Sequence, residues 1–187
     1  MDHRHGIQVV WPPRRTLAFK EGSRMRQRVP NAELLKRVEE SAYNYEKAYH
    51  GCSQCVLQAI QDHLKVGDEA TFRSASALAG GVALMGDSCG ALVAGMMTLG
   101  LVSGRQKIED FPQLASSFVP ARALYARFRE EFGSCLCRDV MTTQMGRFYD
   151  LATEYQQFQE AGGYERCSRV AAKTARMAAD LILAAQD

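Results

Sequence analysis

The chain has 187 residues, 47% of them apolar, and a formal net charge of +2. That length supports one domain with a core of its own, and the near-zero charge gives no general footprint for nucleic acid. The charge is uneven: residues 1–30 carry seven Lys or Arg against two Asp or Glu, so the body is slightly acidic.

The N-terminal stretch holds His3, His5, Trp11, Pro12 and Pro13 but no apolar run like a signal-peptide core. It reads as a basic, disordered arm over 1–30, leaving 31–187 as a helical domain. Asn31 is a cap residue for a first helix reaching about Tyr49, with Leu34, Leu35, Val38, Ala42, Tyr45 and Tyr49 at helical spacing. His50-Gly51 ends it. Cys52 to His63 reads as a second helix with Cys52 at its start. Glu69 to Ala79 reads as a third, closed by Gly80-Gly81. The aromatics from Tyr43 to Phe72 are expected in the core.

Asp87 and Ser88 are both N-cap residue types, so Cys89 is expected in the first turn of a fourth helix running to about Val102. That helix is apolar nearly all round. The uncharged run from Ser88 to Gly104 has seventeen residues, six of them Ser or Gly, and reads as a buried helix rather than a membrane span. Gly90, Gly95 and Gly100 read as close helix contacts. Phe111-Pro112 opens a long helix to about Phe132, and Cys135-Leu-Cys137 follows Gly133. From Met141 to Gly163 the pattern is weaker and more polar. Tyr164 to Ala185 is the last helix, with Val170, Thr174, Met177, Leu181 and Ala184 inward. No segment alternates as a strand does. The expected fold is all-α: a single bundle of about five to seven helices around a central apolar, Gly-rich helix.

Six cysteines without an export signal argue for a reducing, cytoplasmic setting, where they are free thiols, metal ligands or redox pairs. Cys52-x-x-Cys55 at a helix start is a redox candidate without the βαβ context of thioredoxin-like motifs. Cys135-x-Cys137 is tighter than the usual zinc pair. Cys89 at a helix start is placed where the dipole lowers a thiol pKa. His50 reads as a helix-end cap more readily than as a ligand or a hydrogen-bond donor to a cluster sulfur, and His63 as solvated. Arg138 either holds Cys137 by charge or pairs with Asp139.

Gly51-Cys52-Ser-Gln-Cys-Val-Leu, Gly80-Gly-Val, Gly86-Asp-Ser-Cys89-Gly-Ala-Leu, Gly95, Leu99-Gly-Leu, Gly104-Arg105, Phe132-Gly-Ser-Cys-Leu-Cys137-Arg-Asp and Cys167 ahead of Val170-Ala-Ala carry a resemblance. The chain resembles the C_GCAxxG_C_C family of redox-active proteins, named for one Cys, a Gly-Cys-Ala-x-x-Gly segment and two further Cys. The segment here is spelled Ser-Cys-Gly-Ala-Leu-Val-Ala-Gly. Mapped residue by residue, the family cysteines are Cys52, Cys89, Cys137 and Cys167, with Cys55 and Cys135 as extras. The resemblance implies a helical redox domain whose four cysteines bind an iron–sulfur cluster or another metal for electron transfer, with a partner protein as donor or acceptor. The chain is also similar to the domain of split-Soret cytochromes, but it lacks Cys-x-x-Cys-His, so covalent haem is not expected.

Four thiolates suit a [2Fe–2S] or [4Fe–4S] cluster and tetrahedral zinc equally, and two disulfide-forming pairs fit the same count. Metal-free thiol–disulfide chemistry and a helical interaction module, with the apolar helix at a homodimer interface, remain the alternatives. No nucleic-acid or membrane partner is expected. No nucleotide loop, Ser/His/Asp ordering or paired carboxylates point to a substrate, so whether the chain is an oxidoreductase or an electron carrier stays open.

Overall fold

The structure, a computed structural model, describes residues 31–185, and the basic arm lies outside them. Among the described residues the fold is all-α, with one isolated antiparallel bridge, Ser88 with Leu136. The helices are α1 (Asn31–Tyr49), α2 (Cys52–Leu64), α3 (Glu69–Ser74), α4 (Gly90–Ser103), α5 (Phe111–Phe132), α6 (Cys137–Met145), α7 (Tyr155–Glu160) and α8 (Gly163–Ala184).

The bundle follows from three apolar faces. Helix α1 buries Leu35, Val38 and Ala42, one stripe at three- and four-residue steps, and lies along α8 and α2. Helix α8 buries ten residues, mostly Ala and Val, and touches α1, α2, α4, α5, α6 and α7. Helix α4 packs against α2, α5 and α8. Gly95 permits that approach, because a Cβ there would sit 2.8 Å from Leu124 and 3.5 Å from Thr174 and Ala178. Gly90 is equally tight, but Gly100 has nothing within 4 Å and is not a helix contact. No helix among the described residues is long and apolar enough to cross a membrane.

Several local expectations are corrected. The third helix stops at Ser74 and resumes as a 3-10 turn, Ser76–Leu78. The Ser74 and Ser76 hydroxyls there donate to the carbonyls of Thr71 and Arg73, which competes with α-helical pairing. Of the four aromatics Tyr43, Tyr45, Tyr49 and Phe72, only Tyr45 packs against the core; Tyr43 and Phe72 are half-buried outside it and Tyr49 is 78% exposed. The Tyr43 and Tyr45 hydroxyls reach out to Glu165 and Asp62, at 2.7 and 2.6 Å. His63 is held by Ser41, at 2.8 Å, rather than solvated.

Buried side chains form two clusters. The larger joins α1, α2, α4, α5 and α8 and includes Cys89, with Cys52 packed against it. The smaller is built on Met141, Tyr149 and Phe158, with Cys137 and Cys167 packed against it. The seam between the two clusters therefore runs between pairs of cysteines.

Candidate functional site

Each of the four cysteines sits near the start of a different helix. Left-handed His50 (φ 62°) and Gly51 (φ 86°) turn the chain sharply from α1, so that α2 begins at Cys52. His50 is the helix-end cap: its backbone N–H donates to the Glu46 carbonyl, and its Nδ1 lies 2.9 Å from that oxygen. Its ring stacks on Tyr164, centroids 3.4 Å apart.

Cys89 is itself the N-cap of α4, one position earlier than expected. Asp87 and Ser88 do not cap the helix. The Asp87 carboxylate accepts from Ser88 N–H, and the Asp87 carbonyl accepts from Cys137 N–H at 2.6 Å. Cys89 N–H donates to the Cys135 carbonyl at 2.9 Å, and Arg138 N–H to the Gly86 carbonyl at 3.0 Å. Residues 86–89 and 135–138 are thus laced together, which brings the starts of α4 and α6 side by side. Cys137 is the first residue of α6, and Cys167 lies early in α8, after Gly162-Gly163.

These four side chains line one cavity of about 100 Å³ at the seam between the two clusters. That is about three times a water molecule's share of the liquid, ~30 Å³. Val140, Met141, Phe158 and Val170 supply apolar wall, and Glu46, Tyr164 and Arg166 the polar part. Cys55 and Cys135 do not line it. The Cys55 thiol donates to the His50 carbonyl at 3.2 Å and lies against the Glu46 carboxyl, and Cys135 is buried in the larger cluster. All six thiols are free.

Close packing at glycine makes the cavity. A Cβ on Gly90 would meet the Leu78 carbonyl oxygen at 2.5 Å and Cys52 Sγ at 2.9 Å. A Cβ on Gly81 would meet Cys137 Cβ at 2.6 Å. Around Gly81, residues 80–84 all have positive φ, including Val82, Ala83 and Leu84 at 52–67°. Such a left-handed run is costly for L-residues and persists only where its surroundings hold it. Leu84 and Gly80 of this turn line the cavity. Arg138 braces it, donating from Nε to the Gly86 carbonyl at 3.0 Å and from Nη2 to the Met85 carbonyl at 3.2 Å. It does not pair with Asp139, which accepts from Ser134.

Electrostatically, the helix-start expectation for Cys89 fails. Burial pushes the Cys89 and Cys137 thiols up to about 12, and the Cys52 and Cys167 thiols well above the ordinary range. Each also feels charge on other members of the group: Cys52 acts on Cys137 and Cys167, and Cys137 on Cys89. Helix-start N–H groups pull the other way, from Leu92 and Ala91 at Cys89 and from Ser53 at Cys52, as does the Arg138 charge at Cys137. Desolvation outweighs them. The thiols are therefore protonated at neutral pH and weak nucleophiles.

Among the described residues, no three His, Cys, Asp or Glu side chains lie close enough to hold one metal ion. The donor set is soft, and the backbone N–H groups at the starts of α2 and α4 act on Cys52 and Cys89. Glu46, Tyr164 and Arg166 were not singled out in the sequence. Glu46 had a signal, since Val38, Ala42 and Glu46 share one stripe at four-residue steps.

A family model described as "Putative redox-active protein (C_GCAxxG_C_C)" matches residues 50–181. No curated protein and no solved structure matches the chain.

Proposed function

The chain belongs to that family of redox-active proteins, and we propose that Cys52, Cys89, Cys137 and Cys167 hold an iron–sulfur cluster for electron transfer with a partner protein. The observation that supports this reading is the sorting of the six cysteines: the four of the family pattern line one cavity, and Cys55 and Cys135 are outside it. When bound, such a cluster supplies a one-electron couple. A lone zinc ion fits less well. Its four thiolates would each lie about 2.3 Å from the ion and so about 3.8 Å from one another, whereas no three donors here come close enough to share an ion. A cluster of several irons spreads its ligands further apart.

In this reading the protein's own groups do three things. The four thiols give up their protons as they bind, which makes loading pH-dependent. The N–H groups at the starts of α2 and α4 offset the negative charge that results. The side chains of Val140, Met141, Phe158 and Val170 supply an apolar wall beside the sulfurs. Metal-free thiol–disulfide exchange through Cys52 and Cys55 is less well supported, because burial raises both thiols and lowers their thiolate fraction.

The test is an ultraviolet–visible spectrum of protein purified without oxygen, with iron, sulfide and zinc assayed on the same sample. Iron, sulfide and a visible band that bleaches on reduction are expected. Cys→Ser at 52, 89, 137 or 167 should each lower iron content, and Cys55→Ser and Cys135→Ser should leave it. A colourless, metal-free protein whose free-thiol count changes with oxidant would replace this reading with the thiol–disulfide one.

A further inference from the structure

Helix α5 buries only Leu124, Phe128 and Phe132, all in its second half. Its first eleven residues, Phe111 to Ala121, contain no Asp, Glu, Lys or Arg, and none of them is buried. A helix at a protein's surface ordinarily turns charged side chains to water. This one turns Phe111, 70% exposed, and Phe118, 54% exposed, with Tyr125 exposed as well. The three are spaced by seven residues, so they form one stripe along the helix.

Such a stripe marks an association surface, and the charges around it select the partner. A membrane or a nucleic acid calls for Lys or Arg among the apolar side chains, and Phe111 to Ala121 has none. A second copy of the chain calls for something else. In a two-fold contact a residue at the axis faces itself, so the centre must be uncharged and the two ends must carry opposite signs. The stripe meets both conditions. Glu109 and Asp110 precede it, and Arg122 and Arg129 follow on the same helix face, eleven and eighteen residues from Phe111; all four are exposed. With the helices antiparallel and Phe118 at the axis, Phe111 of each copy lies against Tyr125 of the other. The acidic start of each α5 then comes within about one turn of Arg129 of the other, and Arg122 falls opposite residues 114–115. A parallel pair would instead set each arginine against its own copy.

We propose that the protein forms a two-fold symmetric dimer through the outer face of α5, the two helices antiparallel and Phe118 at the axis. No residue of α5 lines the cysteine cavity, so the dimer stands apart from what that cavity holds.

The experiment is sedimentation of the full chain under reductant, across a wide micromolar range, so that no intermolecular disulfide contributes. Twice the 20.8 kDa of one chain is expected. Phe118→Glu should raise the dimer dissociation constant by roughly thirtyfold or more, as loss of a central aromatic anchor does, with the helical circular dichroism unchanged. Arg129→Glu should weaken the dimer, and Glu109→Lys added to it should restore pairing. Residues 109 and 129 of one copy are about 30 Å apart along α5, so that rescue can only act between copies. A short bismaleimide should join copies through Phe118→Cys above the wild-type background. Through Tyr125→Cys it should not, because antiparallel helices hold residue 125 about 20 Å from its own copy. A monomeric wild-type chain overturns the proposal without reference to any variant, whether residues 1–30 or another protein then covers the face. So does a dimer that Phe118→Glu leaves intact, a charge exchange that fails to restore pairing, or crosslinking through Tyr125→Cys as strong as through Phe118→Cys.

Discussion

At the scale of single residues, the site is set by where a Cβ can and cannot be. Gly90 and Gly100 lie on the same helix and read alike in the sequence, yet their surroundings differ. Gly90→Ala would press a methyl group against the Leu78 carbonyl and Cys52 Sγ. A backbone oxygen cannot swing aside, so we expect a loss of about 1–3 kcal/mol and reduced iron content. Gly100→Ala meets nothing within 4 Å and removes a flexible residue from a helix. It should stabilise by about 0.5–1 kcal/mol, and thermal unfolding of the two variants side by side checks both. Glu46 gives a pH prediction for the metal-free protein. Burial raises its carboxyl from 4.5 to about 7. The folded state therefore holds that proton more tightly than the unfolded chain does. The associated stability is complete below pH 4.5 and is lost as pH rises to about 7. The loss is on the order of 3 kcal/mol. Denaturant unfolding from pH 4.5 to 7 should show that slope in wild type and a flatter one in Glu46→Gln. The carboxylate was in principle legible from its place on the α1 stripe. That Gly90 is tight and Gly100 open was not, because a five-residue spacing says nothing about which neighbour lies opposite.

At the scale of elements, the loop from Ala79 to Cys89 is the costly part of the fold. Left-handed Val82, Ala83 and Leu84 carry roughly 1–2 kcal/mol each, held by the lacing of 86–89 to 135–138 and by Arg138. Arg138→Ala removes both braces from an exposed position and should cost about 1 kcal/mol. Chelator access to the cavity should increase more than that small loss of stability implies, because the loosened turn is one of its walls. Arg138→Lys keeps the charge but cannot make both bonds at once, and should resemble Ala in chelator access. Stopped-flow iron release measures this directly. The sequence made the Gly-rich turn plain, along with α1, α2, α5 and α8, whose apolar spacing is regular. It did not show that the turn is left-handed, which depends on Arg138 more than fifty residues away. Nor did it show α6, whose start is fixed by Cys137 N–H meeting the Asp87 carbonyl rather than by any amphipathic pattern.

At the scale of the whole molecule, the four cysteines come from α2, α6, α8 and the cap of α4, and they straddle two apolar clusters. Their order and surroundings made the family membership readable, but their meeting in one cavity depends on α8 packing across the other helices, which spacing cannot give. The two halves are unequally secured. Helices α1, α2, α4, α5 and α8 share the large cluster, while α6 and α7 rest chiefly on α8 over a small one. A group bound by Cys137 and Cys167 on one side and Cys52 and Cys89 on the other would cross-link the weaker part to the stronger. Metal held at a hundred times its dissociation constant would add about 2.7 kcal/mol to the folded state. The added protection should not be uniform. Amides from Cys137 to Ala161 should exchange faster than those of α1 and α8 in the metal-free protein, and loading should slow them most. Cys137→Ser should abolish that local protection even where the remaining ligands retain some iron, because α6 then loses its tie across the seam. Equal protection along the whole chain on loading would mean that the cavity does not join the two clusters.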